Sequence, residues 1–192
     1  MESPLDVFRT IWTEARMRGT LTHRNAVCVS TIDGNGFPSS RFVDLKEADD
    51  SGFVFCTSLE SAKALDLGRD PKACITAWWE HVATQIRIKG LCTVISSREA
   101  DAYWRTRSPD AQIATAAFDQ SRPVTSAATL AEKHARTLQA SEGQDIPRPA
   151  AWGGFRLRPE YVEFMQFREN RVHVRTAYTL TAAGWERALL QP

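Results

Sequence analysis

The chain has 192 residues, of which 43% are hydrophobic and 24% charged, a balance typical of a folded domain with a sizeable core. Its 24 basic residues nearly match its 23 acidic ones, so the net charge of +1 does not give the positive field that a nucleic-acid-binding protein needs. No run of 18 apolar residues is present, and the N-terminus does not look like a signal peptide. We therefore expect a single cytoplasmic domain over residues 1–192 that binds neither nucleic acid nor membrane.

The first half of the chain predicts one helix followed by a series of strands. Ser3, Pro4 and Asp6 are typical of a helix start, and apolar residues follow at helical spacing as far as Gly19. Runs rich in β-branched residues then alternate with Gly, Asn and Asp turns, which predicts hairpin-linked strands through AVCVSTID, SSRFVDLK, FVFCT, KACITAWW and ATQIRIKGLCTVIS. Between the third and fourth of these strands, Ser61 is predicted to cap a short helix through AKALDLG.

The second half predicts three helices and then more strands. The helices start at Ser97, after Ser108-Pro109 and at Ser126, and a loop rich in Gly and Pro follows them. The remaining strands are predicted in FRLRP, YVEFMQF, RVHVRTAY and WERALL. Eight or nine mostly consecutive strands favour a mainly β fold, an antiparallel barrel with flanking helices, over a doubly wound parallel sheet.

Several common functional motifs are absent from the sequence. Cys28, Cys56, Cys74 and Cys92 form no CxxC pair, so the ligand spacing of a zinc, iron–sulfur or thioredoxin-type site is missing, and we expect them to be small buried side chains. The sequence also contains no GxGxxG, GxxxxGK[ST], HExxH or GxSxG. We therefore expect no metal, and any phosphate group must be bound by other means.

Two clusters of basic residues lie in predicted strands. Arg41 and Lys46 are five residues apart, which places them on opposite faces of a strand unless a bulge intervenes. Arg171, His173 and Arg175 alternate strictly, so we expect all three to share one face of a strand, where they would repel each other unless they meet an anion. The alternative interpretation is a solvent-facing edge strand.

A third candidate pair lies in a predicted helix. Tyr103 and Arg107 have the i, i+4 spacing that would bring a phenol hydroxyl beside a guanidinium group. An ordinary surface pair would have the same spacing, so the pair alone does not indicate a site.

Taken in chain order, the segments resemble the pyridoxine (pyridoxamine) 5′-phosphate oxidase family over nearly the whole chain. The segments that carry the resemblance are AVCVSTIDGNGFPSSRFVDLK, FVFCTSLESAK, TQIRIKG, DAYWRTRSPDAQIA, the pair Gln120-Ser121, IPRPAAWGGFRLRPEYVEF and ENRVHVR. The resemblance implies an antiparallel, Greek-key-like split β-barrel that forms a homodimer and holds FMN between its subunits. It also implies hydride transfer from the substrate's 4′ carbon to the flavin, giving pyridoxal 5′-phosphate, with O2 then reduced to H2O2.

The resemblance also implies which residues form the site. Those matching FMN-binding positions are Arg41, Phe42, Val43, Lys46, Cys56, Thr57, Lys63, Gln85, Gln120, Ser121 and Arg175. Those matching substrate-binding positions are Lys46, Tyr103, Arg107, Arg171 and His173. Arg171 and His173 are the expected catalytic pair, which would orient the substrate and tune its protonation.

The chain departs from the family pattern at six positions. These are Ala62 for an arginine, Ala111 for a serine, Met165 for a tryptophan, Cys56 for an aromatic residue, Asp44 for an apolar residue and Val174 for an aspartate. The departures leave the substrate open. The alternatives are an oxidase of another reduced aromatic substrate, as in phenazine biosynthesis, and a non-catalytic module that binds FMN or pyridoxal phosphate.

Overall fold

The computed structural model describes residues 3–18 and 25–192, so Gly19, the predicted end of the first helix, lies outside the described residues. Five helices and eight strands are present in these ranges. The helices are α1 Pro4–Arg18, α2 Ala62–Arg69, α3 Ser97–Arg105, α4 Pro109–Ala117 and α5 Ala127–Ala140. The strands are β1 Ala26–Ile32, β2 Pro38–Asp49, β3 Gly52–Ser58, β4 Lys72–Trp79, β5 Thr84–Val94, β6 Trp152–Gln166, β7 Val174–Thr181 and β8 Gly184–Leu190.

All eight strands belong to one antiparallel sheet that closes on itself. Their order is β3-β2-β1-β4-β5-β6-β7-β8, and β3 also pairs with β6. That extra pairing makes a six-stranded barrel, and β7 and β8 extend from it as a hairpin. The predicted antiparallel barrel with flanking helices is confirmed.

The barrel is filled by the inward side chains of alternating strands and is covered by α1. In β1, Val27 and Val29 are fully buried, as the period-2 pattern requires. From α1, Phe8 packs against Phe53 and Trp79, with ring centroids 4.8 and 5.8 Å away. The amphipathic helix at the start of the chain therefore seals part of the core.

The segments FRLRP and YVEFMQF, predicted as two strands, form the single strand β6. Pro159 pairs with Gly90 at a register shift, beyond which Lys89 pairs with Tyr161. Proline cannot donate a ladder hydrogen bond, and a bulge is where a strand tolerates it. The proline therefore bends the ladder without ending it.

The strand predicted through RVHVRTAY begins later than expected, at Val174. Arg171 has a left-handed φ of 64°, and its backbone N–H donates to the carbonyl of Arg168 at 3.0 Å in a turn. The prediction that Arg171, His173 and Arg175 form one strand row is therefore wrong, because only the last of them lies in β7.

Serine residues begin the helices, but not all of them cap with the side chain. Ser3, Ser108 and Ser126 each accept a hydrogen bond at their hydroxyl oxygen from a backbone N–H of the first turn. Ser61 precedes α2 as predicted, yet its hydroxyl donates to the carbonyl of Ser58 at 2.7 Å instead of capping. In the described ranges, none of the helices is both long and apolar enough to cross a bilayer.

Candidate functional site

A polar cavity of about 460 Å³ lies along β2, beside the start of α2. We call it the first cavity. Four basic side chains line it against one carboxylate, which suits an anionic ligand. Its lining is Arg41, Phe42, Val43, Asp44, Lys46, Cys56, Thr57, Ala62, Lys63, Arg107, Gln120 and Ser121. Of the predicted FMN-binding residues, only Gln85 and Arg175 are missing from this described lining.

Arg41 and Lys46 reach the same cavity despite their odd spacing. The pairing of β2 with β3 shifts register between Leu45 and Glu47, which leaves Lys46 as an extra residue on β2. Residues five apart lie on opposite faces of a regular strand, but a bulge between them allows both cations to reach one site.

Arg41 is fixed in place by three partners at one end of the first cavity, which we call the phosphate end. Its Nη1 donates to the hydroxyl of Thr31 and its Nη2 to that of Ser39, both at 2.7 Å. The carboxylate of Asp66 lies 3.6 Å from Nη2 and also accepts from the Thr31 hydroxyl at 2.7 Å. Because Asp66 is buried, it holds the guanidinium without taking a place in the described cavity lining.

Lys63 lies beside Arg41 and is 6% exposed. Within the described part of the chain, its amine donates to two neutral hydroxyls, those of Thr57 at 3.0 Å and Ser61 at 3.3 Å. Burial, and then the charge of Arg41, lowers the pKa of Lys63 to about 8. An anion at this end of the cavity would therefore relieve an unfavourable concentration of positive charge.

The loop before α5 closes the phosphate end. The side-chain oxygen of Gln120 accepts from the Thr57 hydroxyl and from the backbone N–H of Ser58, each at 3.1 Å. The Ser121 hydroxyl accepts from the backbone N–H of Ala62 at 3.3 Å. Alanine at position 62 offers this end no side-chain donor, so the backbone supplies the only contact described for that residue here.

Tyr103 and Arg107 do not lie on one continuous helix as predicted. Helix α3 ends at Arg105, so the i, i+4 spacing is not helical across its full length. The Tyr103 hydroxyl donates to the carboxylate of Glu47, and burial together with this bond raises the pKa of Tyr103. The two side chains therefore have separate hydrogen-bond partners, on β2 for Tyr103 and on α4 for Arg107.

Arg107 is turned toward α4 and packs against aromatic rings. Its Nη2 donates to the Ala111 carbonyl and to the Thr115 hydroxyl, both at 2.9 Å. The guanidinium also lies 5.2 Å from the Trp152 ring centroid. Its buried Nε has no partner among the described residues, and burial lowers the pKa of Arg107. Its Nη1 makes no hydrogen bond among the described residues either, so the guanidinium keeps donors that a ligand could use.

The cysteines are free thiols, but they are not all buried as predicted. Only Cys92 is buried, whereas Cys28, Cys56 and Cys74 are half-buried. Cys56 lines both the first cavity and a neighbouring cavity of about 400 Å³, the second cavity, which it shares with Arg107. Burial raises the pKa of Cys56 to about 11, so its thiol is protonated at neutral pH.

The two remaining FMN candidates belong to a separate row of residues across three strands. Gln85 on β5 pairs with Met165 on β6, which pairs with Arg175 on β7. We call these three residues the outer row. Since the outer row is absent from the described lining of the first cavity, the structure does not bring all of the predicted FMN residues together within one chain.

Arg175 is held by a carboxylate that the sequence analysis missed. Its Nε and Nη2 donate to Glu163 at 3.2 and 3.1 Å, and Glu163 is only 2% exposed. Tyr161 donates to the same carboxylate at 2.6 Å, and Arg87 lies 3.6 Å from it. The signal in the sequence is an acidic residue inside the otherwise apolar strand YVEFMQF, because such a residue is buried only when it is paired.

The predicted catalytic pair lies in the turn before β7, near one end of the outer row. The His173 Nδ1 accepts from the backbone N–H of Arg168 at 3.1 Å, and its ring lies 4.6 Å from that of Phe167. Phe167 in turn packs against Trp78 at 4.6 Å. Arg171 is exposed on the same turn. Both residues are absent from the described lining of the first cavity, as is Tyr103.

The closed barrel carries a cation-rich cavity whose charge suits an anionic small molecule. The family model for pyridoxamine 5′-phosphate oxidase matches residues 13–142, and that for the pyridoxine 5′-phosphate oxidase C-terminal dimerisation region matches residues 152–192. The chain belongs to the pyridoxamine 5′-phosphate oxidase family, as the resemblance in sequence implied. The second match indicates a homodimer.

Relatives of known name agree with this assignment. The chain is 40% identical over 191 residues to the pyridoxine/pyridoxamine 5′-phosphate oxidase of Sphingopyxis alaskensis, covering 100% of this chain and 88% of that protein. It is 38% identical over 191 residues to the protein of the same name from Thermosynechococcus vestitus, with 100% and 90% covered. The chain is therefore an oxidoreductase of this family.

Solved structures extend the comparison. PhzG from Burkholderia lata, solved with tetrahydrophenazine-1-carboxylic acid, superposes with a TM-score of 0.93 at 27% identity, covering 100% of this chain and 94% of that one. An FMN-binding protein from Nostoc punctiforme superposes with a TM-score of 0.80 at 18% identity and full coverage of both chains. Both likenesses confirm the fold, and the first is a protein of this fold in complex with a phenazine carboxylic acid.

Proposed function

We propose that the chain is an FMN-dependent oxidase that converts pyridoxamine or pyridoxine 5′-phosphate to pyridoxal 5′-phosphate, with O2 reduced to H2O2. The observation that carries this proposal is the phosphate end of the first cavity, where the buried amine of Lys63 lies beside Arg41 and its hydrogen-bond partners among the described residues are hydroxyl groups. The names of the relatives support the same reaction.

The residues of the phosphate end fit the terminal phosphate of FMN. Lys63 and Arg41 supply positive charge, and the hydroxyl of Ser121 adds a neutral hydrogen-bonding group. A phosphate dianion gains most from several charge-assisted hydrogen bonds at once, which riboflavin cannot form. We therefore expect the protein to bind one FMN per subunit and to prefer FMN to riboflavin.

A homodimer would complete the site. The outer row and the predicted catalytic pair stand apart from the first cavity of their own chain, and residues 152–192, which include Met165, Arg171, His173 and Arg175, match the family's dimerisation region. In a twofold dimer, the same residues of a second copy can face this cavity. Dilution that separates the subunits should then release FMN.

Bound FMN supplies the hydride acceptor and passes the electrons to O2. The substrate's 4′ carbon would lose a hydride and its attached oxygen or nitrogen a proton, and O2 would take up two electrons and two protons to become H2O2. Within the chain, Lys46, Tyr103 and Arg107 would hold the substrate phosphate. Arg171 and His173 would orient the ring and tune its protonation, and in the amine substrate water replaces the nitrogen as ammonia leaves.

A spectrum and a turnover assay test this proposal. The purified protein should be yellow with bound FMN, and it should form pyridoxal 5′-phosphate and H2O2 in equal amounts from pyridoxamine 5′-phosphate under air. Bound FMN without turnover would instead support a non-catalytic module.

A second candidate is oxidation of another reduced aromatic substrate, as in phenazine biosynthesis. It is favoured by the similarity to PhzG and by Ala111, which lacks the hydroxyl expected to contact a substrate phosphate. Turnover of a reduced phenazine carboxylate, with none of pyridoxamine 5′-phosphate, would establish this candidate in place of the first.

A further inference from the structure

The end of the first cavity near Lys46 and Arg107, which we call the substrate end, has one acidic residue in its described lining, and a second bonds to the predicted substrate residue Tyr103 outside that lining. Asp44 lines the cavity, and its carboxylate lies 3.5 Å from the amine of Lys46. One strand position past the bulge, the carboxylate of Glu47 accepts a hydrogen bond from the hydroxyl of Tyr103. Two of the three groups proposed to hold the substrate phosphate are therefore already bonded to carboxylates of the same strand.

The third group is also engaged within the chain. Arg107 donates twice through Nη2, to the carbonyl of Ala111 and to the hydroxyl of Thr115. Alanine at position 111 cannot replace the side-chain hydroxyl expected there. The Nη1 and the buried Nε of Arg107 have no hydrogen-bond partner among the described residues.

A phosphate dianion at this end would meet both attraction and repulsion. It would gain the charges of Lys46 and Arg107, but it would lie close to the carboxylate of Asp44 and would have to displace Glu47 from Tyr103. Like charges within a few ångströms oppose binding, and the opposition grows with the ligand's charge. A neutral hydroxymethyl group or a single carboxylate would lose less binding affinity to this repulsion.

We propose that Asp44 and Glu47 are specificity-determining residues. Their carboxylates reduce the contribution that a substrate's phosphate makes to binding. The enzyme then accepts ring substrates with a neutral group or a monoanionic carboxylate at that position nearly as well as phosphate esters. This inference rests on the proposed function, because it assigns the substrate end to the part of the ligand that carries the phosphate.

The test compares phosphorylated and free vitamers on the FMN-loaded enzyme. For the wild type, kcat/KM for pyridoxamine 5′-phosphate should exceed that for pyridoxamine by no more than about tenfold. Asp44→Asn and Glu47→Gln keep the shape of each side chain while removing its charge. Each should raise the preference for the phosphorylated substrate by roughly three- to tenfold, mainly by lowering its KM.

A matched control uses a carboxylate outside the site. Glu142 is exposed after α5 and lines neither the first nor the second cavity as described, so Glu142→Gln makes the same charge change elsewhere. It should leave the preference unchanged. A wild-type preference of a thousandfold, or a preference that Asp44→Asn and Glu47→Gln leave unaltered, would overturn the inference.

A binding measurement separates this inference from the proposed function. Dissociation constants of pyridoxal 5′-phosphate and pyridoxal, measured by absorbance with the same FMN-loaded variants, require no turnover. If neither vitamer is oxidised, the proposed function fails, but a dissociation constant of pyridoxal divided by that of pyridoxal 5′-phosphate that rises in Asp44→Asn still supports the inference. A ratio that stays the same in every variant overturns it, whether or not the enzyme is active.

Discussion

The two ends of the first cavity contain similar basic groups but place the acidic ones differently. At the phosphate end, Asp66 is buried beside Arg41 and contributes nothing to the described cavity lining. At the substrate end, Asp44 lines the cavity next to Lys46, and its side chain is 53% exposed. A buried carboxylate positions a cation for a ligand, whereas an exposed one competes with the ligand for that cation.

Burial explains why the phosphate end should bind an anion more tightly than the substrate end does. The Lys63 amine is largely removed from water, so an anion there interacts through a lower effective dielectric than it would beside the partly exposed Lys46. The comparison therefore predicts large effects from changes at the phosphate end and smaller ones from changes nearer to solvent.

The largest effect should come from removing the buried charge. Lys63→Met keeps the length of the side chain but loses its charge-assisted contact with the FMN phosphate. The loss should be about 1.5 to 3 kcal/mol, or roughly 10- to 150-fold in FMN affinity, measured by fluorescence titration of the apoprotein. Riboflavin affinity should hardly change.

The control for that variant is Lys72→Met, which removes a charge from an exposed side chain on β4 outside the first cavity. It should bind FMN as the wild type does. Equal losses of FMN and riboflavin in Lys63→Met would show that the amine stabilises the protein and not the flavin phosphate.

Substitutions in and just after the turn before β7 should distinguish effects on catalysis from effects on cofactor binding. Arg171→Ala and His173→Ala should lower turnover of pyridoxamine 5′-phosphate by about ten- to a hundredfold while FMN stays bound, because they are proposed to position the substrate. Arg175→Lys should weaken FMN binding instead, and the retained charge still pairs with Glu163. Flavin affinity and kcat/KM are measured for each variant.

A wild-type rate in both Arg171→Ala and His173→Ala would contradict the roles given to these residues. Loss of FMN from both, with Arg175→Lys unaffected, would reverse the division between cofactor and substrate along this segment. Removing the phosphate from the substrate should also reduce the effect of Arg107→Ala, since that guanidinium would lose its proposed partner.

Local patterns in the sequence predicted most of the fold, because alternating apolar residues and turn residues determine strands directly. They failed where two signals conflicted. The segments FRLRP and YVEFMQF predict two strands that Pro159 separates, but the bulge opposite Gly90 accommodates the proline within one strand. The alternation of Arg171 and His173 implied a strand, but the left-handed backbone at Arg171 shows that the segment is a turn.

Only the site residues that match known positions of the family could be predicted from the sequence. The resemblance selected Arg41 and Lys63, and the structure places both in one cavity. Asp66 and Glu163 pair with Arg41 and Arg175, and Glu47 accepts from the hydroxyl of Tyr103. None of these carboxylates carries a local signal of its partner, which lies on another element. Such pairings become visible only when the chain is folded.

Lys63 also predicts a pH dependence. Its pKa is lowered from 10.5 to about 8 in the folded protein, so the unfolded chain binds more protons between these values. Raising the pH through that window should therefore stabilise the apoprotein, whereas FMN affinity should fall because the amine loses its charge. Thermal unfolding and FMN titration from pH 7 to 10 measure the two trends, and Lys63→Met should lack both.

The smallest effect should come from restoring a donor at Ala62. An arginine there would approach the FMN phosphate from the start of α2, but it would be partly solvated, so Ala62→Arg should tighten FMN binding by about fivefold or less. The gain should shrink as the salt concentration rises, since screening weakens exposed charges most. Ala62→Gln, a neutral side chain of similar length, is the matched control. Equal affinities for both variants at low salt would mean that Lys63 and Arg41 already satisfy the phosphate, and the phosphate end would then need no further charge.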